Sequence, residues 1–131
     1  MRISFTISGR PITKKNHCQI ITNPKTKRPM LIQSAQYRQY EKDFIKQLDK
    51  NLKGSFSKEA RLHLRASYYF SDRRGKADLV NLLQATQDIL QKAGVYADDS
   101  QIISLDGSRI CGINKENPRA EITIEIIEGD N

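Results

Sequence analysis

Four aspartates are the residues of this chain best placed to do chemistry. Asp78, Asp88, Asp98 and Asp99 all fall between Ser71 and Ile103, in the stretch SDRRGKADLVNLLQATQDILQKAGVYADDSQII. Hydrolysing a phosphodiester requires a nucleophilic water and relief of charge on the phosphoryl group. Carboxylate oxygens on magnesium or manganese provide both, and one or two carboxylates suffice when water and phosphate fill the other positions. Paired aspartates also occur in plain turns, so the acids carry weight only through their surroundings. Those surroundings are basic. Arg73, Arg74 and Lys76 precede Asp78, Lys14 and Lys15 with Asn16 form a cationic loop, and Lys25, Lys27 and Arg28 a basic turn. Such clusters draw in a phosphate backbone without reading bases, and they make affinity salt-dependent.

The elements between the acids decide whether they meet. Leu79, Leu82, Leu83, Thr86, Ile89, Leu90 and Ala93 trace one apolar stripe, so the spacing predicts a helix from Asp78 to Ala93, stopped by Gly94. A helix of about 16 residues spans roughly 24 Å, and the link Gly94–Ala97 reaches only about 13 Å. Contact between Asp78 and the Asp98–Asp99 turn within one subunit is therefore not assured. Asp88 lies about 15 Å along the helix from Asp78, closer to the acidic turn. There a carboxylate opposes the helix dipole and calls for a partner, either a cation or a basic side chain.

The rest of the chain reads as one α/β (α+β) domain over residues 1–131, with 129–131 as a loose tail. Ile3, Phe5 and Ile7 alternate as a strand ended by Gly9-Arg10-Pro11. Cys18–Thr22 and Met30–Ile32 are expected to form a hairpin arm. Ser34 caps a helix expected from Ala35 to Leu52, with Tyr37, Tyr40, Phe44 and Leu48 on its buried face. Ala60 to Phe70 alternates cleanly, with Arg61, His63, Arg65, Ser67 and Tyr69 on its polar face. A strand from Ile102 is expected to turn at Asp106-Gly107 into Arg109–Ile113, and Ala120–Ile126 alternates as the last strand. The order implies a mixed sheet covered by two helices.

Composition narrows the partners. The chain has 131 residues, with 22 Lys and Arg against 15 Asp and Glu, for a formal charge of +7. That excess favours a polyanion. Cys18 and Cys111 have no metal-ligand spacing, so reduced thiols are expected. The opening residues alternate like a strand and contain no long apolar run, and no later segment approaches a membrane span, which leads us to expect a cytosolic protein.

At the acidic stretch the chain resembles the RusA family of Holliday junction resolvases. The family pattern is a basic run, then Asp-Leu-Asp-Asn-Leu, a helix with a further Asp, and an Asp-Asp turn followed by Gln and a strand. Arg73, Arg74 and Lys76 match the basic run, and Asp78, Leu79, Asn81 and Leu82 the motif. Asp88 matches the helix acid, and Asp98-Asp99-Ser100-Gln101 the turn. Pro11 with Lys14-Lys15-Asn16, and the last strand, resemble the family's flanks. The resemblance implies a homodimer that cuts opposing strands of a four-way DNA junction with Mg2+, for which Mn2+ substitutes. It implies metal ligation by Asp78, Asp98 and Asp99, with Asn81 and Asp88 in supporting roles. It also implies DNA contacts from Lys14, Lys15, Asn16, Arg73, Arg74 and Lys76.

Val80 departs from the pattern, for it stands where the family's second motif aspartate is usual, and valine binds no metal. Gln84 likewise replaces a common lysine. Three readings stay open on these residues: a nuclease with a rearranged carboxylate set, a junction-binding protein of the same fold that does not cut, and a nuclease of structured RNA. A protein-interaction module is a fourth, from a different class.

Overall fold

The computed structural model describes residues 1–14, 18–74 and 77–128. Among these residues seven strands and two α-helices follow one another as β1 (Arg2–Ser8), β2 (Cys18–Thr22), β3 (Pro29–Gln33), α1 (Ala35–Gln47), β4 (Arg61–Phe70), α2 (Leu79–Lys92), β5 (Ile102–Ser104), β6 (Arg109–Ile113) and β7 (Arg119–Glu128). The main sheet runs β1-β7-β4-β5, with β6 also on β4, and β2-β3 form a separate hairpin. β4 is antiparallel to β7 and parallel to β5 and β6, so the expected mixed sheet is present.

Alternation along β4 decides which face is buried. Leu62, Leu64, Ala66 and Tyr68 are buried, whereas Arg61 and Arg65 are exposed. Ala120, Ile122 and Ile124 of β7 and Ile7 of β1 extend that apolar face. Tyr37, Tyr40 and Phe44 of α1 cover it together with Leu82, Ala85, Thr86, Ile89 and Leu90 of α2. One polar pair inside this core is fully used. The Tyr68 hydroxyl lies 2.6 Å from Thr86 Oγ1 and donates to the Leu82 carbonyl at 3.2 Å, which leaves the threonine to donate to the phenol.

Both helices begin as their caps require. Ser34 Oγ accepts the Tyr37 amide and Asp78 Oδ1 accepts the Asn81 amide. α2 ends at Lys92 because Gly94, at φ 80°, lets its own N–H reach Gln91 O while Val95 N–H reaches Leu90 O. α1 is shorter than its sequence implies, stopping at Gln47 instead of Leu52. Leu48 turns extended, and the Asp49 carboxylate caps a new 3₁₀ turn, Lys50–Leu52, by accepting the Asn51 amide at 2.9 Å. Short acidic side chains compete with helix propagation in this way.

The second half departs from expectation at one turn. Asp106-Gly107 does not fold β5 back on β6, since both strands pair with β4 in the same direction. The chain steps past a break and continues along one sheet edge. Ser108 fills the break, its Oγ accepting the Ala66 amide at 3.1 Å. His63 is tied across the same region, to the Asp106 carbonyl at 2.8 Å and Glu125 at 3.2 Å, which is a structural role. Residues 129–131, expected as a tail, lie outside the described residues. No helix among those described is long and apolar enough to cross a membrane.

Candidate functional site

Asp78 sits where β4 hands the chain to α2. A groove of about 780 Å³ opens there, lined by Arg10, Asp72, Arg73, Arg74 and Asp78 over an apolar floor that includes Phe70, Ile110 and Ile113. The carboxylate of Asp78 is oriented on both oxygens. Oδ1 accepts the Asn81 backbone amide at 3.0 Å, and Oδ2 accepts Asn81 Nδ2 at 3.1 Å. Asn81 thus aligns Asp78. Val80, on the first turn of α2, is 73% exposed and brings no oxygen.

Arg10 organises the near wall. Its Nη1 donates to Ser71 Oγ at 2.9 Å and to Asp72 Oδ1 at 2.7 Å, and its Nη2 donates to the Arg74 carbonyl. The guanidinium also lies 5.3 Å from the Phe70 ring centroid. Asp72 Oδ1 accepts the Arg74 amide as well, and the Arg10 hydrogen bond is the main reason its carboxyl is held below its ordinary pKa. The loop carrying Arg73 and Arg74, both exposed, is therefore held by Arg10 from the far end of β1. Sequence reading passed over both residues of this clasp. Arg10 looks like a strand-ending residue and Asp72 like one more charge in a charged run, since nothing in either position reports a partner about sixty residues away.

The other acids gather at the opposite end of α2. Asp98 opens the 3₁₀ turn Asp99–Gln101 by accepting the Ser100 amide at 3.1 Å, which lowers its pKa. Asp99 is pushed the other way, first by burial and then by the neighbouring carboxylates of Asp98 and Asp88. Asp88 holds Lys14 in an ion pair at 3.0 Å. That contact gives Asp88 the basic partner its place in the helix calls for, and it commits Lys14 to the protein's own acid. Behind the turn, Gln101 is buried and accepts the amides of Ala97 and Asp98 while donating to the carbonyls of Ser57 and Ala60. Tyr96 is buried and donates to Gln87 O, and Arg119 covers the ring of Tyr69 at 3.8 Å. Tyr96 is thus packed, and Arg119 covers one face of the Tyr69 ring.

The structure thus separates the expected carboxylates into two places. The Asp99 amide is bonded to Gln91 Oε1 at 2.8 Å, at the last turn of α2, whereas Asp78 caps the first. The helix has 14 residues, which puts its ends about 20 Å apart. No group of three or more His, Cys, Asp or Glu able to hold a metal forms among the described residues. Within one protomer Asp78 is therefore not joined by Asp98 and Asp99, and the acid nearest it in the groove lining is Asp72. Lys15, Asn16 and Lys76, expected at the DNA, lie outside the described residues.

Comparison with known families adds one finding to this geometry. The model of the family described as endodeoxyribonuclease RusA matches residues 8–125. No curated protein matches the chain. The matched span takes in the groove, both acidic ends of α2 and every strand of the main sheet in whole or in part. On a match of this extent, the chain belongs to the endodeoxyribonuclease RusA family.

Proposed function

We propose that this protein is a Mg2+-dependent endonuclease that cuts four-way DNA junctions. It hydrolyses phosphodiesters symmetrically on two opposing strands, as a homodimer, in recombination or repair. Besides family membership, the single observation that supports the reading is the setting of Asp78. An oriented carboxylate stands in a groove rimmed by Arg73 and Arg74, a hard oxygen donor beside groups that attract phosphate. Arg73 and Arg74 hold the backbone, Asn81 aligns Asp78, and Arg10 keeps the basic loop in place.

The acids of one protomer do not fit a shared cation site, because α2 stands between Asp78 and the Asp98–Asp99 turn. Mg2+, or Mn2+ in its place, is therefore held by Asp78 of one copy with Asp98 and Asp99 of a second. When bound, the cation supplies charge relief on the phosphate and a more acidic water. A two-fold pair of such sites matches a substrate with two equivalent strands.

A junction-binding protein that does not cut is the second reading, favoured by the exposed Val80 where the family motif carries a carboxylate. The test is a titration on labelled four-way DNA, duplex DNA and structured RNA with Mg2+ or Mn2+. Wild type should nick the four-way DNA in preference to the others. Asp78→Asn and Asp99→Asn should each abolish incision while keeping junction affinity. Tight binding with no nicks under either metal establishes the second reading instead.

A further inference from the structure

The sheet face turned away from the helices carries charge that the groove does not use. On β4 this face presents Arg61, His63, Arg65, Ser67 and Tyr69, the residues that alternate with the buried ones. Arg109 of β6 stands in register beside Ser67. Two of the acids on β7 are engaged, Glu121 with Arg119 and Glu125 with His63, each at 3.2 Å, while Glu128 stands in register beside Arg61. Arg61, Arg65 and Arg109 are exposed and take part in none of the ion pairs formed among the described residues.

These three arginines form a line. Arg61 to Ser67 covers about 20 Å of extended strand, with Arg65 between them and Arg109 one strand-spacing, about 4.8 Å, to the side. Over that length a DNA duplex presents about six phosphates on each strand. The break between β5 and β6 makes room for the middle member. Gly107, at φ 85°, lies so close to Arg65 that a Cβ there would stand 2.9 Å from Arg65 Cδ. The line also joins the two acidic regions. At one end β6 supplies Ile110 and Ile113 to the groove of Asp78, and at the other Arg61 lines a recess with Asp98 and Ser100.

We infer that this arginine ridge is a second DNA contact, holding the phosphates of a duplex arm where it leaves the groove around the β6 edge. The inference rests on DNA being the substrate, as proposed above, but not on cleavage. Its partner is the backbone of a double helix, because an unpaired row of guanidiniums recognises repeated phosphate and reads no base.

The experiment measures junction affinity with Ca2+ in place of Mg2+, so that nicking does not enter, across a range of salt. Four-way junctions with arms of about 20 and about 8 base pairs are compared, using wild type, Arg65→Gln/Arg109→Gln and Arg65→Lys/Arg109→Lys. On long arms the Gln pair should bind at least about tenfold more weakly and lower the salt slope by about two, since each lost phosphate contact removes about 0.9. On short arms the loss should be under about threefold, and the Lys pair should restore most of it. Circular dichroism and sedimentation verify that the variants keep their fold and assembly state. Wild-type affinity and slope in the Gln pair overturn the inference, and so do an equal loss on both arm lengths, dissociation of a dimer by the Gln pair, and a wild type that binds no junction. Normal binding without nicks in Mg2+ removes the nuclease reading alone and leaves the ridge standing.

Discussion

Gln91 Oε1 accepts the backbone N–H of Asp99 at 2.8 Å, and this bond ties the acidic turn to the C-terminal end of α2. Asp78 caps the other end of the same helix. A rigid helix thus stands between two acidic regions that the proposed chemistry requires together. The conflict disappears if each site is built from two copies, and it would be fatal if each protomer had to supply a whole site.

Mixing inactive variants distinguishes these cases. Asp78→Asn and Asp99→Asn, combined and allowed to exchange subunits, form heterodimers in which one shared site has both wild-type acids. Nicking of one strand per junction should return, while paired incision of both strands stays absent. A mixture as inactive as its components places each site within a single protomer and removes the two-copy arrangement.

Val80 offers a gain-of-function test. Its side chain is mostly exposed on the first turn of α2, so a carboxylate there meets no packing obstacle. Val80→Asp should stabilise the fold by about 0.3–1 kcal/mol through the helix dipole. It should also lower the Mg2+ concentration needed for half-maximal nicking. A variant that is more stable yet unchanged in its metal requirement would show that this position does not face the reacting phosphate.

Asp99 is held at a cost to the fold. Burial and the adjacent acids raise its pKa, so the folded state binds a proton more readily than the unfolded chain. The sign follows from linkage: stability falls as pH rises from the ordinary aspartate value through the higher folded value, and the penalty persists at neutral pH. Asp99→Asn should therefore raise Tm at pH 7, with the difference shrinking as the pH drops below the ordinary carboxylate range. Equal Tm values for the two proteins at pH 7 would contradict this. Carboxylates kept against stability are common at functional sites.

Gln101 holds the acidic turn from below. Its amide satisfies two backbone N–H groups and two carbonyls in a buried position. Each orphaned buried group costs about 1–3 kcal/mol, so Gln101→Leu should destabilise the protein by roughly 3 kcal/mol or more in denaturant titration. Amides of Ala97 and Asp98 should lose hydrogen-exchange protection first. Unaltered protection there would mean the turn is held by other means.

Much of this architecture was legible in local pattern. The alternation of Leu62, Leu64, Ala66 and Tyr68 defines the central strand, the Leu79–Leu90 stripe defines α2, and Asp78 with Gly94 marks its ends, because burial, capping and left-handed turns act over a few residues. The mixed sheet and two helices followed from the order of those elements. Other features needed the folded chain. Whether Asp106-Gly107 reverses the chain or steps along an edge depends on what β4 offers as a partner, and β4 pairs with both following strands. The bond from Arg10 to Asp72, the pairing of Lys14 with Asp88 and the distance between Asp78 and Asp99 are likewise tertiary facts. Each joins or separates residues through space, and a one-dimensional string encodes such distances only through the packing of the whole.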